Sequence, residues 1–273
     1  MESESRFPAT FVILAVAALL FMLAPAVVTL AAAFNAGNYL QFPPHGLSFR
    51  WIEAFLTSPL FLDNFVFSFK LALVVTVIAT LLGTAAAVGL LRAAFPGREA
   101  VRVMLLAPIV LPGMVLGLAL LAYYAALKLP LMRSYWGLVV AHVLVATPFV
   151  FALVSAALAR FDVSLEEAAR SMGAGPIRAF WDVTLKINSQ AILAGSTFAF
   201  IVSFGQFDTS LFLAGADMLP LPVALFNSIK FRTDPTIAAA GVFSIATVVA
   251  STVLLYFLTS ARRRKVVPSV KPT

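Results

Sequence analysis

Residues 61–91 read FLDNFVFSFKLALVVTVIATLLGTAAAVGLL, an apolar run broken by two ionisable side chains, Asp63 and Lys70. A helix needs roughly 20 residues, at about 1.5 Å each, to cross a hydrocarbon layer about 30 Å thick. The run therefore predicts a transmembrane helix. Five more runs of this kind lie along the chain, at Ala9–Phe34, Val101–Leu127, Tyr135–Leu158, Ala191–Leu213 and Thr236–Ser260, separated by Pro, Gly and charged residues. Backbone polar groups find no water in lipid, and the short alternating strands of a barrel are missing, so each span is expected to be helical. The predicted fold is all-α and integral to the membrane, with about six transmembrane helices.

Composition agrees. Of 273 residues 62% are hydrophobic and 11% charged, with a mean hydropathy of +1.00, far from a soluble globular domain. The spans fill most of residues 1–273, so a single membrane domain is expected, with no room for a nucleotide-binding fold. The net charge of +7 sits on loop ends, which suits lipid headgroups rather than nucleic acid. Without Cys there are no disulfides, thiol nucleophiles or cysteine-bound metals, and His45 and His142 alone cannot build a His-rich metal site. The run from Phe7 to Phe34 is longer than a signal-peptide core and has no convincing cleavage pattern, so it reads as a retained first helix.

Basic residues fix an expected orientation. With both termini cytoplasmic, one side collects Arg6, Arg92, Arg98, Arg102, Arg160, Arg170, Arg178, Lys186, Arg262, Arg263, Arg264, Lys265 and Lys271, and the other only Arg50, Lys128, Arg133, Lys230 and Arg232. Trp51 and Trp136 precede the second and fourth spans, where an indole suits the headgroup level. Phe49–Phe55 reads equally as a short interfacial helix or a plain loop.

The longest loop on the basic side, Arg160–Gln190, is too polar to span and is patterned as helix, turn, helix. Ser164 with Glu167 three residues on has capping-box spacing, predicting a helix over Leu165–Met172. Gly173 suits a left-handed close, and Gly175-Pro176 a turn that starts a second helix. That helix would carry Ile177, Phe180, Trp181 and Val183 on one apolar side. So small a hairpin has little core of its own, and its apolar side needs a bilayer or a protein to rest on.

Glu167-Ala168-Ala169, then Gly173, Val183 and Leu185 at their spacing, resemble the EAA loop of ABC importer permeases of type I. The resemblance implies that Glu167, Ala168, Ala169, Gly173 and Leu185 form the coupling site for an ATPase, in a chain that binds no cofactor. ATP and Mg would belong to a dimer of ATP-binding subunits. Other implied partners are a second homologous permease, an extracytoplasmic solute-binding protein and the lipid bilayer of a bacterial inner membrane. The family pattern usually ends Leu-Pro, whereas this chain has Leu185-Lys186, which suggests a straighter exit. The resemblance places the permease core at 60–260 and the coupling loop at 160–190. Further stretches, Gly46–Trp51, Phe61–Ser68, Ser203–Asp208, Leu211–Gly215 and Leu221–Phe226, are similar to the spermidine/putrescine branch of that family. They imply transport of polyamines or a related small organic solute.

Asp208 is a candidate for the solute path, because a carboxylate at membrane depth is costly and functional by default. Phe204 and Phe207 could offer aromatic faces to the same cation, with Gln206 beside them. The alternative for Asp208 is a helix-end residue bonded to its neighbours. Lys70 could snorkel outward, and His142 reads either as a packing residue or as a proton carrier. Gly113 and Gly117 form a small-residue step for close packing or for hinging, and Pro108, Pro112 and Pro148 can bend their helices. A secondary transporter or channel would call for coupling-ion carboxylates or internal repeats, and few are visible. An intramembrane enzyme would need a nucleophile and base or a metal cluster; no Gly-x-Ser-x-Gly, His-Glu-x-x-His or Walker A pattern is present.

Overall fold

The computed structural model describes residues 9–231 and 235–266. The charges expected at Arg6, Arg232 and Lys271 lie outside these residues, as does the rest of the tail from residue 267. Every regular element among the described residues is a helix: α1 (Ala9–Ala33), α2 (Arg50–Thr57), α3 (Pro59–Arg92), α4 (Arg98–Val110), α5 (Gly113–Ala126), α6 (Tyr135–Leu158), α7 (Ser164–Ser171), α8 (Pro176–Ala179, continued by a π-helical stretch Phe180–Leu185), α9 (Ser189–Phe204), α10 (Asp208–Leu213), α11 (Leu221–Ile229) and α12 (Thr236–Val266).

Four of the expected spans, α1, α3, α6 and α12, are continuous and long enough to cross a membrane. α1 is apolar on all sides and exposed on nearly all of them, with Phe21 82% and Met22 76% accessible. In water such a surface would not persist; in lipid it needs no cover. The segment Phe49–Phe55, open between helix and loop in the sequence, is largely helical as part of α2.

The other two runs are not single helices. Val101–Leu127 divides at Leu111–Pro112 into α4 and α5, whose axes differ by 108°. Pro112 has no N–H to give to the previous turn, and it holds Leu111 in an extended conformation. Pro108 and Pro148, by contrast, lie inside α4 and α6. Ala191–Leu213 divides at Gly205–Phe207 into α9 and α10, and α9 follows the loop helix through a bend of 69°. The count is therefore four uninterrupted spans, or six if each bent pair is one span.

The contacts group the chain into two compact units, one formed by residues up to Leu62 with Leu225–Thr247, the other by Asp63–Ala224 with the end of α12. In the first, Phe55 is buried and stacks on Phe61 and Phe243, with centroids 6.4 and 4.5 Å away. Its loop is organised by the buried Asn35. That amide accepts from Gly37 and His45 N–H at 3.0 and 2.9 Å and donates to the Tyr39 carbonyl at 3.0 Å. Trp51, half-buried, donates its indole N–H to the Asn35 carbonyl at 2.9 Å, so it is anchored in protein as well as placed at an expected interface.

In the second unit α6 is the central helix, with Ala141, Ala146 and Val150 fully buried. Val150 is gripped from both sides. A Cβ at Gly83 of α3 would stand 2.7 Å from its side chain, and one at Gly195 of α9 would stand 3.1 Å from its Cα. Helices in lipid gain little from hydrophobic burial against one another, so close backbone approach at small residues supplies much of their packing. Gly83→Leu should force the α3–α6 contact apart and cost about 1–3 kcal/mol. It should lower the melting temperature of the purified protein in detergent by several degrees, while Gly89→Leu, where a Cβ meets nothing, should leave it unchanged.

Candidate functional site: the Arg160–Gln190 loop and the break at Gly205

The loop forms the helix, turn, helix expected, with a different start. α7 begins at Ser164 itself, and Val163 before it makes no side-chain cap. The capping box of Ser164 and Glu167 is not formed, because the carboxylate of Asp162 accepts the Ser164 N–H at 2.9 Å instead. The Ser164 hydroxyl and N–H hold the Asp162 carboxyl below its ordinary value of 3.8. The contribution of this group to the helix is thus complete at neutral pH and is lost only as pH falls through the lowered value. α7 closes as the sequence suggests: Gly173 is left-handed at φ +95°, Gly173 N–H bonds Arg170 O and Ala174 N–H bonds Ala169 O, each at 3.0 Å. That pair of bonds satisfies the last carbonyls of the helix. Pro176 then opens α8, as expected.

The apolar side expected of the second helix is split. The backbone passes into π-helical turns at Phe180–Leu185, which alters the side-chain register. Phe180 and Val183 are half-buried, while Ile177 and Trp181 point outward. Met172, Ile177 and Trp181 are 84%, 75% and 61% exposed. Around them Glu167 and Ala168 are exposed, Ala169 and Leu185 are half-buried, and Gly173 is open to solvent. Lys186, where the resemblance leads one to expect Pro, is helical and pairs with Asp182 at 3.4 Å. The exit is nevertheless not straight, since the 69° bend falls just beyond it.

Beneath this exposed face lies a buried polar contact that the sequence reading missed. Glu166, the residue before the Glu-Ala-Ala triplet, is buried and paired with Arg92 at the end of α3. Thr184 donates its hydroxyl to the same carboxylate. The one signal present was that Arg92 was among the basic residues assigned to that side.

At the second place, the two helix breaks meet. The ends of α5 and α10 pack so closely that a Cβ at Gly113 would lie 2.7 Å from the side chain of Asp208, and one at Gly117 would lie 2.8 Å from the Cα of Thr209. The Gly113/Gly117 step is thus a packing surface. Asp208 is half-buried and makes no ion pair among the described residues. Gln206 donates to the Thr209 hydroxyl at 3.0 Å, and Phe207 is half-buried beside it. Phe204 does not offer a face there. It is buried between Phe65, edge-on at 5.6 Å, and Phe200, stacked at 5.8 Å, so it acts as a packing residue. Lys70 is exposed on α3. Two grooves of about 640 and 570 Å³ flank α3; the first is almost wholly apolar around Trp136 and Pro108, and neither reaches Asp208.

His142 lies fully buried behind the break. Its Nδ1 meets Ser203 Oγ at 2.9 Å and its Nε2 meets Ser210 Oγ at 2.8 Å, while Ser210 donates to the Gln206 carbonyl at 2.8 Å. Both ring nitrogens are occupied within the protein, which favours packing over proton carriage. While Ser210 keeps its bond to the Gln206 carbonyl, His142→Leu takes its partner from the buried Ser203 hydroxyl, at about 1–3 kcal/mol. It should lower the melting temperature while leaving the pH profile of transport unchanged; a displaced profile would make His142 a proton carrier.

Residues 29–265 match the family described as "Binding-protein-dependent transport system inner membrane component". The Putrescine transport system permease protein PotI of Escherichia coli K12 is 29% identical over 252 residues, covering 90% of this chain and 89% of that protein. The Spermidine/putrescine transport system permease protein PotC of Haemophilus influenzae is 26% identical, covering 88% and 92%. The fold is also that of a chain in a crystal structure of a bacterial ABC transporter involved in the import of the acidic polysaccharide alginate, with a TM-score of 0.67, 18% identity and coverage of 94% and 99%. The chain belongs to the family of inner-membrane components of binding-protein-dependent transport systems, and it is a permease subunit of an ABC importer.

Proposed function

We propose that this permease is driven by a separate ATPase that docks on the Arg160–Gln190 loop, and that it carries a polyamine. The observation that carries the docking is the exposed apolar set Met172, Ile177 and Trp181 beside Glu167 and the open Gly173. A short loop that holds three large apolar side chains in water has lost that much burial, and a protein groove restores it. Glu167, Ala168, Ala169, Gly173 and Leu185 form the contact. ATP and Mg stay on the ATPase dimer, a solute-binding protein delivers the cargo, and a second homologous permease completes the pathway between the subunits. Both termini lie in the cytoplasm, on the side of the loop, and residues 1–273 act as one membrane domain with its permease core at 60–260. The bent helices let the pathway open to each side in turn.

The polyamine reading draws support from the names of the putrescine and spermidine/putrescine permeases that the chain resembles along most of its length. Asp208 is its chemical counterpart: a half-buried carboxylate with no ion pair among the described residues, set at a helix break, where a cation is attracted. Gln206 and Phe207 line the same break. Phe204 supports it from behind.

Copurification of the assembled complex tests the docking. Glu167→Arg or Gly173→Asp should release the ATPase or uncouple its hydrolysis from solute, whereas a well-folded wild type that brings no ATPase would make an ATP-independent transporter the better reading. Asp208→Asn should cut putrescine uptake into proteoliposomes by about tenfold or more, the equivalent of one charge-assisted hydrogen bond, with the ATPase still bound. Unchanged uptake would remove Asp208 from the pathway.

A further inference from the structure

Four ion pairs join described residues, and three of them link side chains three or four positions apart on one helical segment. The fourth, Arg92 to Glu166, crosses the structure. Its geometry is a clasp. The guanidinium of Arg92 meets the Glu166 carboxylate on α7, lies 3.3 Å from the Thr184 hydroxyl on the π-helical stretch, and sits 4.9 Å over the ring of Phe180. Thr184 also donates to Glu166, and Asn188 donates to the Thr184 carbonyl at 2.8 Å. Glu166 is 8% exposed and Thr184 1%. One cation thus holds both helices of the loop, and it is the last residue of α3.

α3 has 34 residues without a break, about 51 Å of rigid helix. That exceeds the roughly 30 Å of hydrocarbon it must cross, so its last turns project into the loop region. Of the helices beside it α6 is also continuous and enters the loop through its backbone, whereas the other two runs are interrupted at Pro112 and at Gly205–Phe207. A force on the loop reaches α9 through the 69° bend that follows the loop helix. It reaches α3 through an ion pair between the buried carboxylate of Glu166 and the partly exposed guanidinium of Arg92, at the end of a continuous rod. A carboxylate this buried cannot give up its cation cheaply, so loop and helix end move together.

We propose that Arg92 is the positioning residue that ties the loop to α3, and that the Arg92–Glu166–Thr184 clasp passes movement of the loop into the membrane without itself binding the ATPase. The proposal rests on the docking reading above. The docking face, Glu167 and Ala168 with Met172 and Ile177, is exposed, whereas Glu166 is turned inward; adjacent residues on one short helix divide the two tasks.

The chain has no Cys, so Asp63→Cys, at an exposed site near the other end of α3, gives it one reactive thiol. The assembled complex is reconstituted in liposomes and the rate of labelling by a water-soluble maleimide is read at that thiol, with and without trapping by ATP and vanadate. With the clasp intact, trapping should change the rate by about fivefold or more, the lower end of ordinary coupling between sites. Arg92→Gln and Glu166→Gln should abolish the change while the ATPase remains bound and hydrolyses ATP. The exchange Arg92→Glu with Glu166→Arg should restore part of it. A nucleotide response that survives both single variants overturns the proposal, as does a wild-type clasp with no response. Release of the ATPase by either variant overturns it as well, because the clasp would then serve docking. A complex that never contains an ATPase defeats the docking reading instead.

Discussion

A backbone amide in hydrocarbon has no partner except another protein group, and the architecture of this permease follows from that constraint. Long stretches must be helical, and a chain break at membrane depth must be covered by protein. α1, α3, α6 and α12 obey the first requirement outright. The breaks at Pro112 and Gly205 meet the second by being set against each other, with α5 and α10 packed through Gly113 and Gly117 and with His142, Ser203 and Ser210 closing the hydrogen bonds behind them. The lone half-buried carboxylate of Asp208 stands at the same place, so the point where the helices yield is also where an ionisable group is tolerated.

The loop obeys different rules because it meets water. It is built from caps and turns: the Asp162 carboxylate at its start, the left-handed Gly173 at the corner and Pro176 at the restart. These local devices leave Met172 and Ile177 outside with nothing to cover them, while Arg92 and Glu166 secure the underside. The hairpin thus has an apolar outer face and an ionic inner face.

Close packing by small residues connects these two regimes. Val150 of α6 lies against Gly83 of α3 on one side and Gly195 of α9 on the other. α6 runs into the loop at Arg160, α9 continues from the loop helix through a bend, and α3 ends on Arg92, so all three helices at this contact are tied to the loop.

Much of this protein was legible from the order of residues. Apolar runs gave the place of the four continuous spans, since length and hydropathy decide whether a helix can stay in lipid; the Glu-Ala-Ala and Gly spacing gave the family; Gly173 and Gly175-Pro176 gave the loop corner, because backbone dihedrals there depend on the residue itself. What the sequence misjudged or left out depended on groups far apart in the chain. Pro112 could be read as a bend, but a 108° turn requires α10 to receive α5. Ser164 had the spacing of a cap, yet the competing carboxylate of Asp162 took the bond. Phe204 had an aromatic face to offer until Phe65 and Phe200 covered it. Glu167 was singled out by its spacing, but the inward role of Glu166 depended on the arrival of Arg92 from 74 residues away, since a buried carboxylate is admitted only where a cation meets it.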